Sequence, residues 1–273
     1  MSESTLLKDA QNGDIRAFHT LFAEFQPQLK SYLYRLLANR NDMEDMVQDT
    51  FIAAFESLGT FRGEAALKTW VFTIATNRAR RHLKKEKRWA EDSHERTRAL
   101  AHAQPALFQA LLQTSRGAPA GTFTIREHID YCFTCVSKML PIRQQIALIL
   151  KDVYRFKNRE IAAIMEISES KVKHAVRDAR QKMIEIFDHT CALVNKNGIC
   201  DQCSQLNGIF NPKQDQQAAL MKVEWARNKA NQTEQELYKL RRQLVQAIDP
   251  IQGEGSDLHE LFFDLNRRAN SQG

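Results

Sequence analysis

Asp42-Met-Glu-Asp-Met-Val-Gln-Asp-Thr-Phe51 is the stretch of sequence that decides the fold. Its apolar side chains recur every three or four residues, which is the period of an α-helix with one buried face. The stripe continues beyond the quoted stretch and comprises Met43, Met46, Val47, Thr50, Phe51, Ala54, Phe55 and Leu58. Acidic and amide side chains lie on the other faces, and Asp42 is placed to cap the helix. The stretch therefore predicts an amphipathic helix with a polar outer face.

The same helical period extends to both sides of this stretch. Two amphipathic segments precede it, separated near Pro27, and a loop over 59–63 follows it. A further helix then has an apolar stripe comprising Leu67, Trp70, Val71, Ile74 and Ala75. No segment shows the sustained alternation that is typical of a β-strand. The sequence therefore predicts an all-α protein.

A helix-turn-helix is predicted in the second half of the chain. Asn158 is placed to cap a short helix over 159–165, and Ser168 to cap a longer one from 169 to about 187. Glu166 stands in the turn between them, where such motifs often carry glycine. A left-handed backbone at that position costs a non-glycine residue about 1 kcal/mol or more.

The second helix of this motif carries side chains suited to DNA. Its predicted buried face comprises Val172, Ala175, Val176, Ala179, Met183 and Phe187. Basic residues remain on the outer side and comprise Lys171, Lys173, His174 and Arg177. This arrangement predicts a recognition helix that enters a major groove. The alternative is an ordinary solvated helix face.

Breaks in the periodicity divide the chain. Between residues 89 and 122 the helical pattern weakens and several prolines and glycines occur, which indicates a linker with a short helix over 106–112. After residue 187 a compact loop region with cysteines precedes two further helices. We therefore expect two helical domains joined by a linker, plus a helical C-terminal extension. The predicted ranges are 1–90, 91–122 for the linker, 123–188 and 189–273.

The positive charge of the chain is concentrated in one place. The 273 residues carry a formal net charge of +6. Against the single acid Glu86, one stretch holds Arg78, Arg80, Arg81, Lys84, Lys85, Lys87 and Arg88. So few acidic partners favour contact with phosphates, although a solubilising helix end is the alternative. No apolar run suits a signal peptide or a membrane span, so we expect a cytoplasmic protein without membrane insertion.

These features resemble the extracytoplasmic-function sigma factors of bacterial RNA polymerase. The resemblance is carried by the quoted stretch at 42–51, by Phe61-Arg-Gly, by Thr69-Trp-Val-Phe-Thr-Ile-Ala-Thr-Asn77 and by Arg159-Glu-Ile-Ala162. Residues 14–90 look like sigma domain 2, and residues 124–187 look like sigma domain 4. The resemblance covers roughly half of the chain.

The resemblance implies a role for each surface. Asp45, Gln48 and Asp49 correspond to the face that docks on core polymerase, although charged outer faces are common on any helix. Phe61 and Arg62 lie where the family traps an extruded promoter base, and Asn77 matches an asparagine used near that base. A loop aromatic tucked onto the core is an equal alternative for Phe61. Spacing places Trp70 on the buried stripe, so we expect core packing there. Among the basic residues, the candidates for phosphate contact are Arg80, Arg81, Lys84 and Lys85.

The cysteines are the least family-typical feature. Five cysteines without a signal peptide favour metal or thiol chemistry over disulfides. The pairs Cys132/Cys135 and Cys200/Cys203 could supply four ligands to one zinc ion, with Cys191 or His128 as an alternative ligand. The first pair, with His128, resembles the zinc motif of anti-sigma factors. Because Cys132 lies on an apolar stripe, a buried structural thiol is the alternative.

The sequence thus predicts a sigma factor that directs core RNA polymerase to specific promoters, aids promoter melting and is not an enzyme. Its expected partners are core polymerase, promoter DNA and an anti-sigma protein. One alternative is a helix-turn-helix regulator, metal- or redox-responsive, that binds duplex DNA without polymerase. A redox enzyme based on the Cys132/Cys135 pair ranks last, since the chain lacks the βαβ setting of such chemistry.

Overall fold

The computed structural model describes residues 2–104, 125–190, 233–253 and 256–271, and the α-helices within these ranges lie as follows. They are α1 (Glu3–Gln11), α2 (Ile15–Ala23), α3 (Gln26–Leu37), α4 (Arg40–Ser57), α5 (Leu67–Leu83), α6 (Ser93–Ala103), α7 (Ile125–Ser137), α8 (Ile142–Leu148), α9 (Asn158–Met165), α10 (Glu169–Thr190), α11 (Glu234–Gln246) and α12 (Ser256–Ser271). The described part of the chain contains no strand, so the predicted all-α class is confirmed. None of its helices is long and apolar enough to cross a lipid bilayer.

Local capping sets where the helices begin. Asn39, not Asp42, caps α4, because its side chain accepts a hydrogen bond from the Asp42 N–H at 3.1 Å. Asp42 instead lies in the first turn, where a carboxylate favours the helix dipole. The cap predicted for α9 is displaced as well: the helix begins at Asn158 itself, and Lys157 takes the cap position. Ser168 accepts from the Lys171 N–H at 3.4 Å, as the sequence predicts.

Contacts divide the chain into two compact units. The first comprises residues 1–86 and 142–176, and the second comprises residues 87–141 and 177–273. In the first unit, the predicted stripe of α4 supplies buried side chains at Met43, Val47, Thr50 and Ala54. The ring of Phe51 packs on that of Phe18 at 5.1 Å between centroids. The predicted polar outer face and apolar inner face of this helix therefore both exist.

The first unit also contains α9 and the start of α10, up to residue 176; α9 packs against α5, and the π-helical turn before it packs against α3. A short π-helical turn, Ile149–Val153, leads into Tyr154, whose hydroxyl accepts a hydrogen bond from buried Arg35 at 2.7 Å. The Tyr154 hydroxyl also lies 2.6 Å from the Ser31 hydroxyl. Two residues later, the Phe156 ring packs on Phe72 of α5 at 5.1 Å. This polar and aromatic seam joins residues that are more than 80 positions apart in sequence.

Helix α9 extends the seam along α5. Lys68 of α5 holds its ammonium group 5.2 Å from the centre of the Phe156 ring. Burial lowers the pKa of Lys68, and the charge of Glu160 on α9 opposes that shift. Deeper in the unit, burial raises the pKa of Tyr32, whose hydroxyl lies 2.8 Å from the Thr76 hydroxyl. Tyr32 therefore stays neutral, as a buried hydrogen-bonded hydroxyl should.

Two helices that the sequence placed elsewhere belong to the second unit. Helix α6 lies in the stretch predicted as a linker, and α7 lies in the stretch predicted as the start of the helix-turn-helix domain. Both pack against α12, and α7 also packs against α11. The short helix predicted over 106–112 lies outside the described residues.

A buried polar ladder ties α6 to α12. Thr97 donates a hydrogen bond to Asn266 Oδ1 at 2.9 Å, and Asn270 Nδ2 donates to Ser93 Oγ at 2.6 Å. Asn266 Nδ2 also donates to the Tyr131 hydroxyl of α7 at 2.9 Å. Because buried polar groups cost free energy unless they are paired, these bonds specify one packing of the three helices. The C-terminal helices are thus part of the core of the second unit.

The turn of the helix-turn-helix has the strain that the sequence predicts. Glu166 adopts φ 55° and ψ 45°, which is the left-handed conformation. Its Cβ makes this conformation unfavourable, and glycine would remove the penalty. The turn nevertheless forms, because Ile161, Ile164 and Val172 on either side of it are fully buried.

We expect the Tyr154→Phe substitution to weaken the seam by about 1.5–3 kcal/mol, because it removes a hydrogen bond to a buried charged group. Hydrogen exchange of the full chain, read by mass spectrometry for α3 and residues 149–156, measures the local free energy of opening. Arg35→Met and the double variant complete a mutant cycle. Additive effects of the two single substitutions would contradict a direct Arg35–Tyr154 coupling.

We expect Glu166→Gly to stabilise the first unit by up to about 1 kcal/mol, since released strain exceeds the added freedom of the unfolded chain. Ala163→Gly is the matched control, because Ala163 is exposed in the regular part of α9 and the same new residue should cost about 1 kcal/mol there. Denaturant unfolding of both variants provides the comparison. Equal destabilisation by both would show that the turn at 166 is unstrained.

Candidate polymerase-binding and nucleic-acid-binding surfaces

The outer face of α4 presents the residues predicted to dock on polymerase. Asp45, Gln48 and Asp49 are all exposed. Ile52 lies one turn further along the same face and is 53% exposed, which is unusual for a large apolar side chain. The sequence interpretation missed Ile52, although its three- and four-residue spacing from Gln48 and Asp49 placed it there. The face therefore combines acidic groups with an exposed apolar side chain.

One of these acids also has a partner within the unit. Arg78 of α5 donates to Asp49 Oδ2 at 3.1 Å, and both side chains remain partly exposed. Nearby, His82 Nε2 lies 3.2 Å from Glu86 Oε1 and 3.7 Å from Asp42 Oδ2. These pairs join the acidic helix α4 to the basic end of α5. Asp45 has no such ion pair among the described residues, and we regard it as the more accessible charge.

The loop between α4 and α5 carries an aromatic pair. The ring of Phe61 lies 5.3 Å from the ring of Trp70, and both residues are only partly buried. The expectation that Trp70 is a core residue is therefore only half met, because Leu67, Val71 and Phe72 take the buried positions. Gln11 of α1 holds the loop by donating to the Phe61 carbonyl at 3.2 Å. Sequence reasoning missed this long-range contact.

Asn77 lies next to the basic end of α5. Its Oδ1 accepts a hydrogen bond from Arg80 at 2.9 Å, so the amide is oriented by one of the candidate phosphate-binding residues. The backbone carbonyl of Asn77 accepts from Arg81 Nε at 3.4 Å. Further exposed cations of this surface are Arg62, Arg81, Lys84 and Lys85, while Arg80 is half-buried. The structure thus brings the predicted loop and basic residues to connected parts of the first unit.

The recognition helix α10 has the predicted division of faces. Every residue assigned to its inner side is buried, and Lys171, Lys173, His174 and Arg177 are exposed. Arg177 is paired with its neighbour Asp178 at 2.8 Å. Further along the helix, Lys182 binds Glu91 at 2.7 Å, and this hydrogen bond raises the pKa of Lys182. Lys182 is therefore paired within the second unit.

The cysteine pair lies on α7 in the second unit. Cys135 is fully buried and Cys132 is half-buried. Cys135 Sγ lies 3.6 Å from Nε2 of His94 on α6. The other predicted ligands, Cys191, Cys200, Cys203 and the side chain of His128, lie outside the described residues. Sequence spacing could not indicate His94, because 41 positions separate it from Cys135.

Comparison with known proteins identifies two segments of the chain. The family model for sigma-70 region 2 matches residues 21–89, and the model for sigma-70 region 4 matches residues 132–183. The RNA polymerase sigma-H factor of Pseudomonas aeruginosa is 28% identical over 183 residues, which span 66% of this chain and 90% of that protein. The ECF RNA polymerase sigma-E factor of Escherichia coli K12 is 28% identical over 181 residues, which span 66% and 92%.

A solved structure is also similar. It contains the sigma factor RpoE in complex with the anti-sigma factor NepR from Bartonella quintana. The two chains are 24% identical in sequence, and the match has a TM-score of 0.43. It covers 62% of this chain and 96% of that chain. The family assignment rests on the two family models and on the sigma-factor relatives. The chain belongs to the sigma-70 family of RNA polymerase sigma factors, in its extracytoplasmic-function group.

Proposed function

We propose that this sigma factor directs core RNA polymerase to specific promoters through three separate surfaces, and that it has no catalytic activity of its own. The observation that carries the proposal is the exposure of each predicted set on a different helix: acids on α4, cations at the end of α5, and cations on the outer side of α10. Each surface offers the chemistry that one task requires. The protein acts in the cytoplasm, where polymerase and promoter DNA are found.

The α4 face docks on the polymerase. Asp45, Gln48 and Asp49 meet a basic surface, while Ile52 is buried at the contact and supplies apolar area. A fully buried isoleucine side chain contributes roughly 1.5–3 kcal/mol, which exceeds what an exposed ion pair supplies. Ile52 therefore provides affinity, and the acids provide orientation and a faster encounter.

The loop and the basic end of α5 hold the melted strand. Phe61 and Trp70 offer aromatic faces on which an extruded base can stack, at about 1–3 kcal/mol per base. Asn77 and Arg62 supply hydrogen bonds to that nucleotide. Arg80, Arg81, Lys84 and Lys85 contact phosphates, since a cationic groove is what holds a single strand.

The recognition helix reads duplex DNA upstream. Lys171, Lys173, His174 and Arg177 project from the outer face of α10, which suits base edges in a major groove. An anti-sigma protein is a further predicted partner. For the cysteines we retain the proposal of one zinc ion that binds Cys132, Cys135, Cys200 and Cys203, with Cys191 or His128 as an alternative ligand.

We expect Asp45→Lys combined with Ile52→Asp to reduce the affinity for core polymerase at least about tenfold, which corresponds to 1.4 kcal/mol. Pull-down with core enzyme and promoter-specific transcription measure the effect. Asp49→Lys is a less direct probe, because it also removes the partner of Arg78.

Glu24→Lys is the matched control for this charge reversal, since Glu24 is exposed at the end of α2 in the same unit. Undiminished polymerase binding by a folded Asp45→Lys/Ile52→Asp variant would exclude α4 as the docking helix. It would then favour a regulator that binds DNA without polymerase.

The two basic surfaces should respond differently to substitution. Replacing Arg81, Lys84 and Lys85 with alanine should lower the slope of log affinity against log salt by about 0.7–0.9 for each phosphate that is no longer neutralised. Replacing Lys173 or Arg177 should instead change the preference among upstream sequences. Binding of promoter variants across a salt series distinguishes the effects. Equal loss of affinity for every sequence in both sets would contradict base reading by α10.

A further inference from the structure

The geometry points to His94 as a metal ligand that binds the same ion as Cys132 and Cys135. The inference deepens the proposed zinc site and depends on it, but it rests on a different observation: the buried contact between Cys135 Sγ and His94 Nε2. Cys135 has no exposed surface, and His94 is 6% exposed. A thiol and an imidazole that meet inside a protein are the two side chains that zinc most often binds.

The length of this contact suits a shared ion. Zinc lies about 2.3 Å from a cysteine sulfur and about 2.0–2.1 Å from a histidine nitrogen, and its ligands are arranged tetrahedrally. These values place the sulfur and the nitrogen about 3.5–3.6 Å apart. The observed separation is 3.6 Å, so one ion can bind both atoms without movement of either helix.

Cys132 is the third ligand in the proposed site. It precedes Cys135 by three residues on α7, so the two side chains lie on the same side of the helix, with Cβ atoms about 5–6 Å apart. Two sulfurs on one tetrahedral zinc lie about 3.8 Å apart. Rotation about the side-chain bonds can bring the two sulfurs this close, although the Cβ atoms are farther apart. The ligand atoms of His94, Cys132 and Cys135 do not all lie within 4.8 Å of one another in this structure, so binding requires the Cys132 side chain to rotate toward the ion.

The charge of the site explains why a histidine is preferred to a fourth thiolate. Zinc with four thiolates has a net charge of −2, whereas three thiolates and a neutral histidine leave −1. Burying uncompensated charge costs several kcal/mol, so the ligand set with less charge suits the buried position of Cys135. Lys138, another buried residue, follows Cys135 by three positions and can offset the remaining charge.

The surrounding contacts hold His94 in place. Ser93 and Thr97 on either side of it bind Asn266 and Asn270 of α12. Asn266 also binds Tyr131, which directly precedes Cys132 on α7. Asn266 therefore contacts both ligand helices, and Asn270 adds a second bond to α6. Such second contacts orient metal ligands, and their loss commonly weakens metal binding 10–100-fold.

Cobalt substitution of the full-length protein tests the assignment, because thiolate-to-cobalt absorption reports how many sulfurs bind the ion. Wild-type protein should bind about one ion per chain. His94→Ala should weaken the affinity for cobalt at least about 100-fold, since a direct ligand is lost. His94→Cys should retain one ion and add the absorption of one further thiolate.

His259→Ala is the matched control. His259 is 7% exposed and stacks on Tyr131 of α7 at 5.0 Å, so its loss disturbs the same core without removing a ligand. Its cobalt spectrum should be unchanged. Circular dichroism of each variant verifies that it is folded.

Two outcomes would overturn the inference in distinguishable ways. In the first, His94→Ala binds cobalt as tightly as wild type and His94→Cys leaves the spectrum unchanged, which would show that His94 is not a ligand. Loss of the ion in the Cys200→Ser/Cys203→Ser variant would then establish the four-cysteine site instead. If the wild-type protein binds no metal yet supports promoter-specific transcription, the metal site itself is excluded while the sigma function stands.

Discussion

The buried guanidinium of Arg35 is the interaction on which the first unit depends. A charge inside a protein costs several kcal/mol unless hydrogen bonds replace its water. Arg35 is 1% exposed, and it donates to Ser31 within α3 and to Tyr154 at 2.7 Å. Because Tyr154 is 119 positions away, satisfying Arg35 requires that the segment leading into the helix-turn-helix stays packed on α3. The aromatic contact between Phe72 and Phe156 then follows two residues further on.

Sequence reasoning succeeded where the cause of structure is local. The stripe of α4 and the inner face of α10 follow from helical periodicity alone, and their predicted residues are buried or half-buried. The strain at Glu166 was also predictable, because a tight turn between two helices requires a left-handed residue whatever occupies the position. The errors at Asp42 and Asn158 are displacements along the chain, since several polar residues near each helix start could serve as the cap.

It failed where the cause lies far away in the chain. Nothing near Ser93 indicates that this stretch is a helix in a core, because its partners, Asn266 and Asn270, lie more than 170 positions away. The contact between His94 and Cys135 was missed for the same reason. Trp70 shows a second way in which periodicity misleads. Its spacing matches the buried stripe, but it lies at the edge of that stripe beside Phe61 and is only partly buried. Periodicity indicates a face, but only packing decides where that face ends.

The seam constrains what any partner of the first unit must do. Helix α5 carries the cations at its exposed end, while its inner face packs against Phe156 and α9. A partner that requires residues 149–165 to leave both α3 and α5 must supply the free energy of that seam. The charged hydrogen bond between Arg35 and Tyr154, together with the contacts of the Phe156 ring with Phe72 and Lys68, amounts to about 3–6 kcal/mol. Thermal motion alone would then populate the separated form below about 1%. Forming a nanomolar complex releases about 12 kcal/mol of binding free energy. Binding opens the seam only if the partner favours the separated form by more free energy than the seam contributes.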